Sequence, residues 1–175
     1  IIPIIEKILH PKGRITDAKK NSPLRYCNEE TGEVWPVSAK DGRDSTHALL
    51  VYPRIALVDD QANKINEILE YCHLSDKIKV GRLHSGIQGP AREKLCESRP
   101  EIFACTFAFI NFHMIVKSKY WFELIQPAKM LVMDESHSYT SYEGSNVHHL
   151  LKRMKNQMNK MELQYIASSA TLHNP

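Results

Sequence analysis

From residue 47 onward, short apolar runs alternate with longer amphipathic ones. The runs ALLVYP (48–53), KIKVGRL (77–83), EIFACT (101–106), KMLVMD (129–134) and LQYIASSAT (163–171) have the continuous hydrophobicity of strands covered on both faces. Between the first two, apolar residues at 57, 58, 65, 68, 69 and 72 share one face of a helix spanning 56–72. Further helices are predicted over 91–98, as one or two segments over 109–126 stopped at Pro127, and over 143–159. This alternation predicts an α/β fold, a parallel sheet with helices on both faces and right-handed crossovers. The opening IIPIIEKIL has apolar residues at 1, 4, 5 and 8, one helical face, ended by His10-Pro11-Lys12-Gly13. Residues 11–47 are polar and irregular, except that RYCNEETGEVWPV reads as a hairpin turning at Glu30–Glu33. Three parts follow: a helix over 1–10, a surface insertion over 11–47, and the core of the domain over 48–175.

Composition narrows the class without choosing a function. The 175 residues are 42% hydrophobic and 25% charged, ordinary for one globular domain. A net charge of +3 neither requires nor forbids a nucleic-acid partner. The four cysteines, at 27, 72, 96 and 105, form no C-x-x-C pair, which argues against a zinc ribbon and a disulfide framework and for reduced thiols. No run approaches the ~20 apolar residues of a membrane helix, and no signal segment opens the chain. The start at Ile1, already apolar and without methionine, and the end at Asn174-Pro175 read as cut ends of a longer protein.

In open parallel sheets the working residues lie beyond the carboxyl ends of the strands. There the sequence places Asp134 and Glu135, with His137 close behind, together with Pro53-Arg54, Thr106 and Ser169-Ala170-Thr171. One of two adjacent carboxylates can face a hydrated Mg²⁺ while the other orients and deprotonates a water. The same pair also suits an acidic turn that caps the following helix. Pro53-Arg54 and the glycine-bearing loop HSGIQGPAR, with Gly86 and Arg92, open helices and offer amide donors and guanidinium groups to a phosphate backbone. Each is also an ordinary strand–helix turn when taken alone. Lys152, Arg153, Lys155 and Lys160 on the last helix read first as a solvated face, with nucleic-acid contact as the alternative.

In combination these segments resemble known motifs. Asp134-Glu135-Ser136-His137 is similar to the DExH form of helicase motif II, Ser169-Ala170-Thr171 to motif III, and Pro53-Arg54-Ile55-Ala56-Leu57 to motif Ia. Their order resembles the first RecA-like domain of superfamily 2 helicases of the DEAD/DEAH type over about residues 47–175, and 1–9 resembles the helix that follows the P-loop. DESHSYTSYEGSNVHHLLKRM (134–154) and the closing SATLHNP are similar to DNA-repair-type DExH helicases, such as the bacterial mitomycin-repair helicases. The resemblance implies an ATP-dependent helicase or translocase. Asp134 would hold Mg²⁺ through water, Glu135 would activate the hydrolytic water beside that metal, and His137, Ser169, Ala170 and Thr171 would couple hydrolysis to strand movement. Pro53, Arg54, Gly86, Arg92 and Thr106 would line the path of single-stranded or duplex nucleic acid, DNA favoured over RNA. A second RecA-like domain, not contained in this chain, would complete the motor, in the cytoplasm or at the nucleoid.

The sequence also departs from the family. It contains no G-x-x-x-x-G-K-[ST], Arg54 stands where the family usually has Thr, and Phe107 interrupts motif Ib. Without the phosphate cradle and an arginine finger, the latter alone worth about 10³-fold or more, the chain by itself is expected not to hydrolyse ATP usefully. Two other readings stand beside this one: a catalytically dead nucleic-acid-binding remnant, and a metal-dependent hydrolase that uses the DESH cluster directly.

Overall fold

Leu49 and Val51 point to one side of a strand whose Ala48, Leu50 and Tyr52 point to the other, and all five are buried. A strand apolar on both faces needs cover on both, and that requirement organises the domain. The computed structural model describes residues 25–27, 34–36, 46, 48–112, 125, 128–157 and 163–170. Two short strands, β1 (Arg25–Cys27) and β2 (Val34–Pro36), pair antiparallel, with Tyr26 opposite Trp35. The remaining elements are β3 (Ala48–Tyr52), α1 (Ile55–Tyr71), β4 (Val80–Leu83), α2 (Pro90–Ser98), β5 (Ile102–Thr106), α3 (Phe107–Phe109), β6 (Met130–Met133), α4 (Ser141–Gln157) and β7 (Gln164–Ala167). Strands β3 to β7 form one all-parallel sheet in the order β4-β5-β3-β6-β7, the predicted architecture.

Two apolar layers cover the sheet. On one face α1 buries Val58, Ala62, Ile65 and Leu69 against Leu50, Ile102, Ala104 and Met130. Those four helical positions, spaced four, three and four, trace a single stripe. The sequence pattern had also put Leu57, Ile68 and Cys72 on that stripe. Ile68 is exposed and Leu57 half-buried because they fall to its side, Cys72 is exposed just past the end of the helix, and Ala62 is buried within the stripe. On the other face α4 brings Leu150 and Met154 onto Leu49, Val51, Phe103 and Leu131.

The strand expected over 77–83 is shorter at its start. Lys77 and Ile78 both donate their amides to the Leu74 carbonyl, each at 2.9 Å, so the chain is still closing the turn after α1 there. Gly81 sits where β4 passes under Pro100, Phe103 and Leu95. A Cβ on it would come within 2.8 Å of all three side chains. The predicted helix over 1–10 and most of that over 109–126 lie outside the described residues.

Candidate functional site

Parallel register decides which residues meet at the rim. Val51 is opposite Met133, Tyr52 opposite Thr106, Leu83 opposite Cys105, and Met133 opposite Ala167. The residues that follow these therefore leave the sheet along one edge: Pro53-Arg54, His84, Phe107, Asp134 and Ser168-Ser169-Ala170.

The acidic end is built by two backbone decisions. Asp134 N–H donates to the Val51 carbonyl at 3.0 Å, which carries the β6 ladder one residue past the strand. Glu135 then adopts φ 50° and ψ 43°, the left-handed region that a side chain with a Cβ enters at a cost of roughly 1–2 kcal/mol. The Asp134 carboxylate accepts the Glu135 amide at 2.9 Å, which supports the reversal. Ser136–Ser138 forms a single tight helical turn, with Ser138 N–H donating to the Glu135 carbonyl at 2.8 Å. Strand alternation alone would send Asp134 and Glu135 to opposite faces. The left-handed residue instead swings Glu135 beside His137.

His137 Nδ1 stands 3.2 Å from Glu135 Oε2 and 3.1 Å from the Ser169 hydroxyl oxygen. Nδ1 and the Ser169 hydroxyl share a hydrogen bond, the hydroxyl accepting when Nδ1 carries the proton and donating when it does not, and the Glu135 carboxylate lies within ion-pairing distance of a protonated ring. The backbones are joined too. Ser168 N–H donates to the Met133 carbonyl and Ser136 N–H to the Ser168 carbonyl, both at 2.8 Å. The ends of β6 and β7 thus form one body at the rim. Ala170 is exposed beside them, and Thr171 lies outside the described residues.

Electrostatics at the rim follow from burial and from the acids. The Tyr52 phenol is pushed well above the ordinary tyrosine range, first by burial, then by the negative charge of Asp134, then by Cys105. Burial likewise pushes the Cys105 thiol up, so neither group supplies an anion or a nucleophile near neutral pH. Asp134 is a hard oxygen donor at a partly open edge, which suits a Mg²⁺ held largely by water and phosphate. Among the described residues no three of His, Cys, Asp and Glu converge as a metal-ligand set.

The other rim residues are more committed than the sequence suggested. Thr106 is buried, and its hydroxyl accepts the Phe109 amide at 3.3 Å, capping α3. The Gly86 amide donates to His84 Nδ1 at 3.2 Å, and the Ile87 amide to the His84 carbonyl at 3.1 Å. Arg92 Nε donates to the Ile87 carbonyl at 2.7 Å, and its guanidinium lies 5.3 Å from the centre of the Phe109 ring. Pro53 is half-buried, and Arg54 is exposed at the start of α1 with no side-chain cap on the helix. Arg54 and Arg92 therefore bring positive charge to the rim, while Gly86 and Thr106 shape its turns. Sequence alone did not pair Asp59 with His84, which meet across 25 residues at 3.3 Å. Neither spacing nor periodicity pairs residues on different elements.

Comparison with known proteins accords with this geometry. The DEAD/DEAH box helicase family matches residues 2–175. The ATP-dependent helicase MJ1574 of Methanocaldococcus jannaschii is 27% identical over 132 residues, 73% of this chain and 19% of its own. The ATP-dependent helicase YprA of Bacillus subtilis is 27% identical over 143 residues, 80% of this chain and 19% of its own. Among solved structures, the DUF1998 helicase MrfA bound to DNA and AMPPNP superposes with a TM-score of 0.64 at 26% identity, over 74% of this chain and 18% of that one. The chain thus spans about a fifth of the length of the relatives it matches.

Proposed function

Since the chain belongs to the DEAD/DEAH box helicase family, we propose that it forms part of the first motor domain of an ATP-driven helicase or translocase acting on nucleic acid. The observation that carries this reading is the junction of β6 and β7. There an acidic strand end, Asp134-Glu135, is held against Ser168-Ser169 by two backbone hydrogen bonds and by the His137 ring. Glu135 is assigned as the base that orients and deprotonates the attacking water, a role needing a carboxylate beside the terminal phosphate. Asp134 would hold Mg²⁺ through water, and the ion would supply charge neutralisation at the β- and γ-phosphates. His137, Ser169 and Thr171, with Ala170 between the last two, carry the state of that site toward the strand.

Pro53, Arg54, Gly86, Arg92 and Thr106 line the strand path in this reading. Arg54 and Arg92 supply charge, and the other three set the shape of the turns. DNA is favoured over RNA as the partner, a preference supported by the DNA-bound MrfA relative. The remaining partner is a second RecA-like domain whose closure turns hydrolysis into movement. Among the described residues no helix is long and apolar enough to cross a membrane, and the proposed work places the protein in the cytoplasm or at the nucleoid. The test is nucleic-acid-stimulated ATP turnover of the full-length protein, with Glu135→Gln as control. Turnover unchanged by that substitution removes Glu135 from its assigned role, and an absence of stimulation removes the motor reading.

A further inference from the structure

Three residues of the rim form a linkage that the proposed chemistry does not use. His84, at the end of β4, is 6% exposed, yet both its ring nitrogens have polar partners. Nδ1 accepts the Gly86 amide at 3.2 Å, which leaves the neutral ring's proton on Nε2. Nε2 faces Asp59 Oδ1 on α1 at 3.3 Å, and a carboxylate can only accept that proton. The same Asp59 oxygen lies 3.6 Å from Arg82 Nη1, and Arg82 Nη2 donates to Asn63 one turn along α1. An apolar side chain would fill such a buried position without needing two partners. The imidazole there joins two turns instead.

We propose that His84 is a positioning residue for strand binding. By accepting the Gly86 amide and donating to Asp59, it fixes the Ser85–Gly89 loop to the helix that begins at Arg54, so that both turns meet one strand backbone in a set geometry. The inference rests on the strand path assigned above and adds to it how that path is held open. It also revises what Gly86 does. With its amide already donated to His84, Gly86 contributes room: a Cβ there would press the His84 ring at 3.1 Å. The far end of the loop is held as well, through Arg92 on the Ile87 carbonyl and over Phe109. A loop fixed in this way loses little conformational freedom when it binds, which lowers the entropic cost of gripping a strand.

The two ring nitrogens can be separated by substitution. In His84→Asn the amide oxygen takes the place of Nδ1 and keeps the Gly86 acceptor. In His84→Gln the amide nitrogen takes the place of Nε2 and keeps the donor to Asp59. The measurement is anisotropy of a fluorescein-labelled single-stranded DNA of mixed sequence with the full-length protein, alongside the strand concentration for half-maximal ATPase stimulation. His84→Ala, His84→Asn and His84→Gln are each expected to weaken strand affinity about tenfold, because each amide keeps only one of the two bonds that join the turns. The stimulation midpoints should rise in parallel, while turnover at saturating strand is kept. Undiminished affinity in His84→Asn or in His84→Gln overturns the positioning role while leaving the motor reading intact. Failure of the unsubstituted protein to bind the strand overturns both. Should His84→Ala not fold, the Asn and Gln pair still decides.

Discussion

His137 and Ser169 lie 32 residues apart in the chain, yet the imidazole Nδ1 of one stands 3.1 Å from the hydroxyl oxygen of the other. They come from the ends of adjacent strands, and the same Nδ1 also touches Glu135 Oε2 at 3.2 Å. One ring nitrogen thus sits between the proposed catalytic carboxylate and the strand end beyond β7. A movement of the His137 ring therefore changes both contacts together. The arrangement supplies a short physical route from the proposed water-activating site to the next strand.

If that route couples hydrolysis to movement, its two ends act as a unit. His137→Ala, Ser169→Ala and the double variant of the full-length protein are expected to lose strand displacement to a similar extent, about tenfold each, with the double no worse than the worse single. Their ATP turnover should persist with weakened dependence on nucleic acid. Parallel assays of turnover and displacement check this. Additive losses in the double variant mean that the two residues act separately.

Glu135 serves in a backbone conformation that disfavours it, which makes its side chain testable apart from the backbone. Glu135→Gln keeps the size and the left-handed strain and removes only the basicity. ATP turnover of the full-length protein should fall at least about 100-fold, while affinity for single-stranded DNA stays within about twofold. Steady-state kinetics and anisotropy separate the two. Loss of strand affinity instead would mean that the carboxylate holds the rim together structurally.

Much of this candidate site was legible in the sequence, for a definite reason. Strands such as ALLVY and IFACT are buried on both faces, so their continuous apolar runs announce a parallel sheet, and a parallel sheet fixes which ends face the same way. Asp134 and Ser169 could be put on one rim from that rule alone. The left-handed turn at Glu135 was not legible, because nothing local requires a glutamate to leave the β region; tertiary bonds to Ser168 and Val51 hold it there. The commitments of Thr106 and Gly86 were hidden for the same reason, since a hydroxyl or an amide at a strand end looks available until its internal partner is known. The start of β4 was overextended because Ile78 is buried although it lies in a turn, and hydrophobicity does not distinguish the two.

Packing beneath β4 sets a limit on substitution there. Gly81 has room for no Cβ, with Pro100, Phe103 and Leu95 side-chain atoms at 2.5, 2.7 and 2.8 Å from where one would stand. Phe103 is fully buried on the central side of that contact. Gly81→Ala should destabilise the domain by about 1–3 kcal/mol through overpacking. Phe103→Ala should cost about 3–5 kcal/mol through the cavity it leaves. Combined in one chain, the two should cost less than their sum, because removing the ring makes space for the added methyl. Guanidinium titrations of the three variants read this directly, and strict additivity would mean that the Gly81 strain is relieved against Pro100 and Leu95 alone.

Burial of Tyr52 beside Asp134 gives the domain an alkaline weakness. Folding raises the Tyr52 pKa above its unfolded value of about 10. Below that value both states carry the neutral phenol, and the tyrosine's contribution to stability is fully present. As pH climbs past about 10 the unfolded chain ionises and the folded one does not, so stability falls, by at most about 1.4 kcal/mol per pH unit for one such group. Cys105, raised in the same direction by burial, begins the decline somewhat lower, near the ordinary thiol pKa of about 8.5. Denaturant midpoints measured between pH 8 and pH 11 should therefore drop, with Tyr52→Phe flattening the slope above about pH 10 and Cys105→Ala flattening it from about pH 8.5 upward. Introducing Asp134→Asn removes the charge that opposes the phenolate. It should leave a shallower Tyr52-dependent decline only at the upper end, because burial, the larger cause, stays in place. A decline of equal steepness in Tyr52→Phe would mean that other groups govern alkaline unfolding.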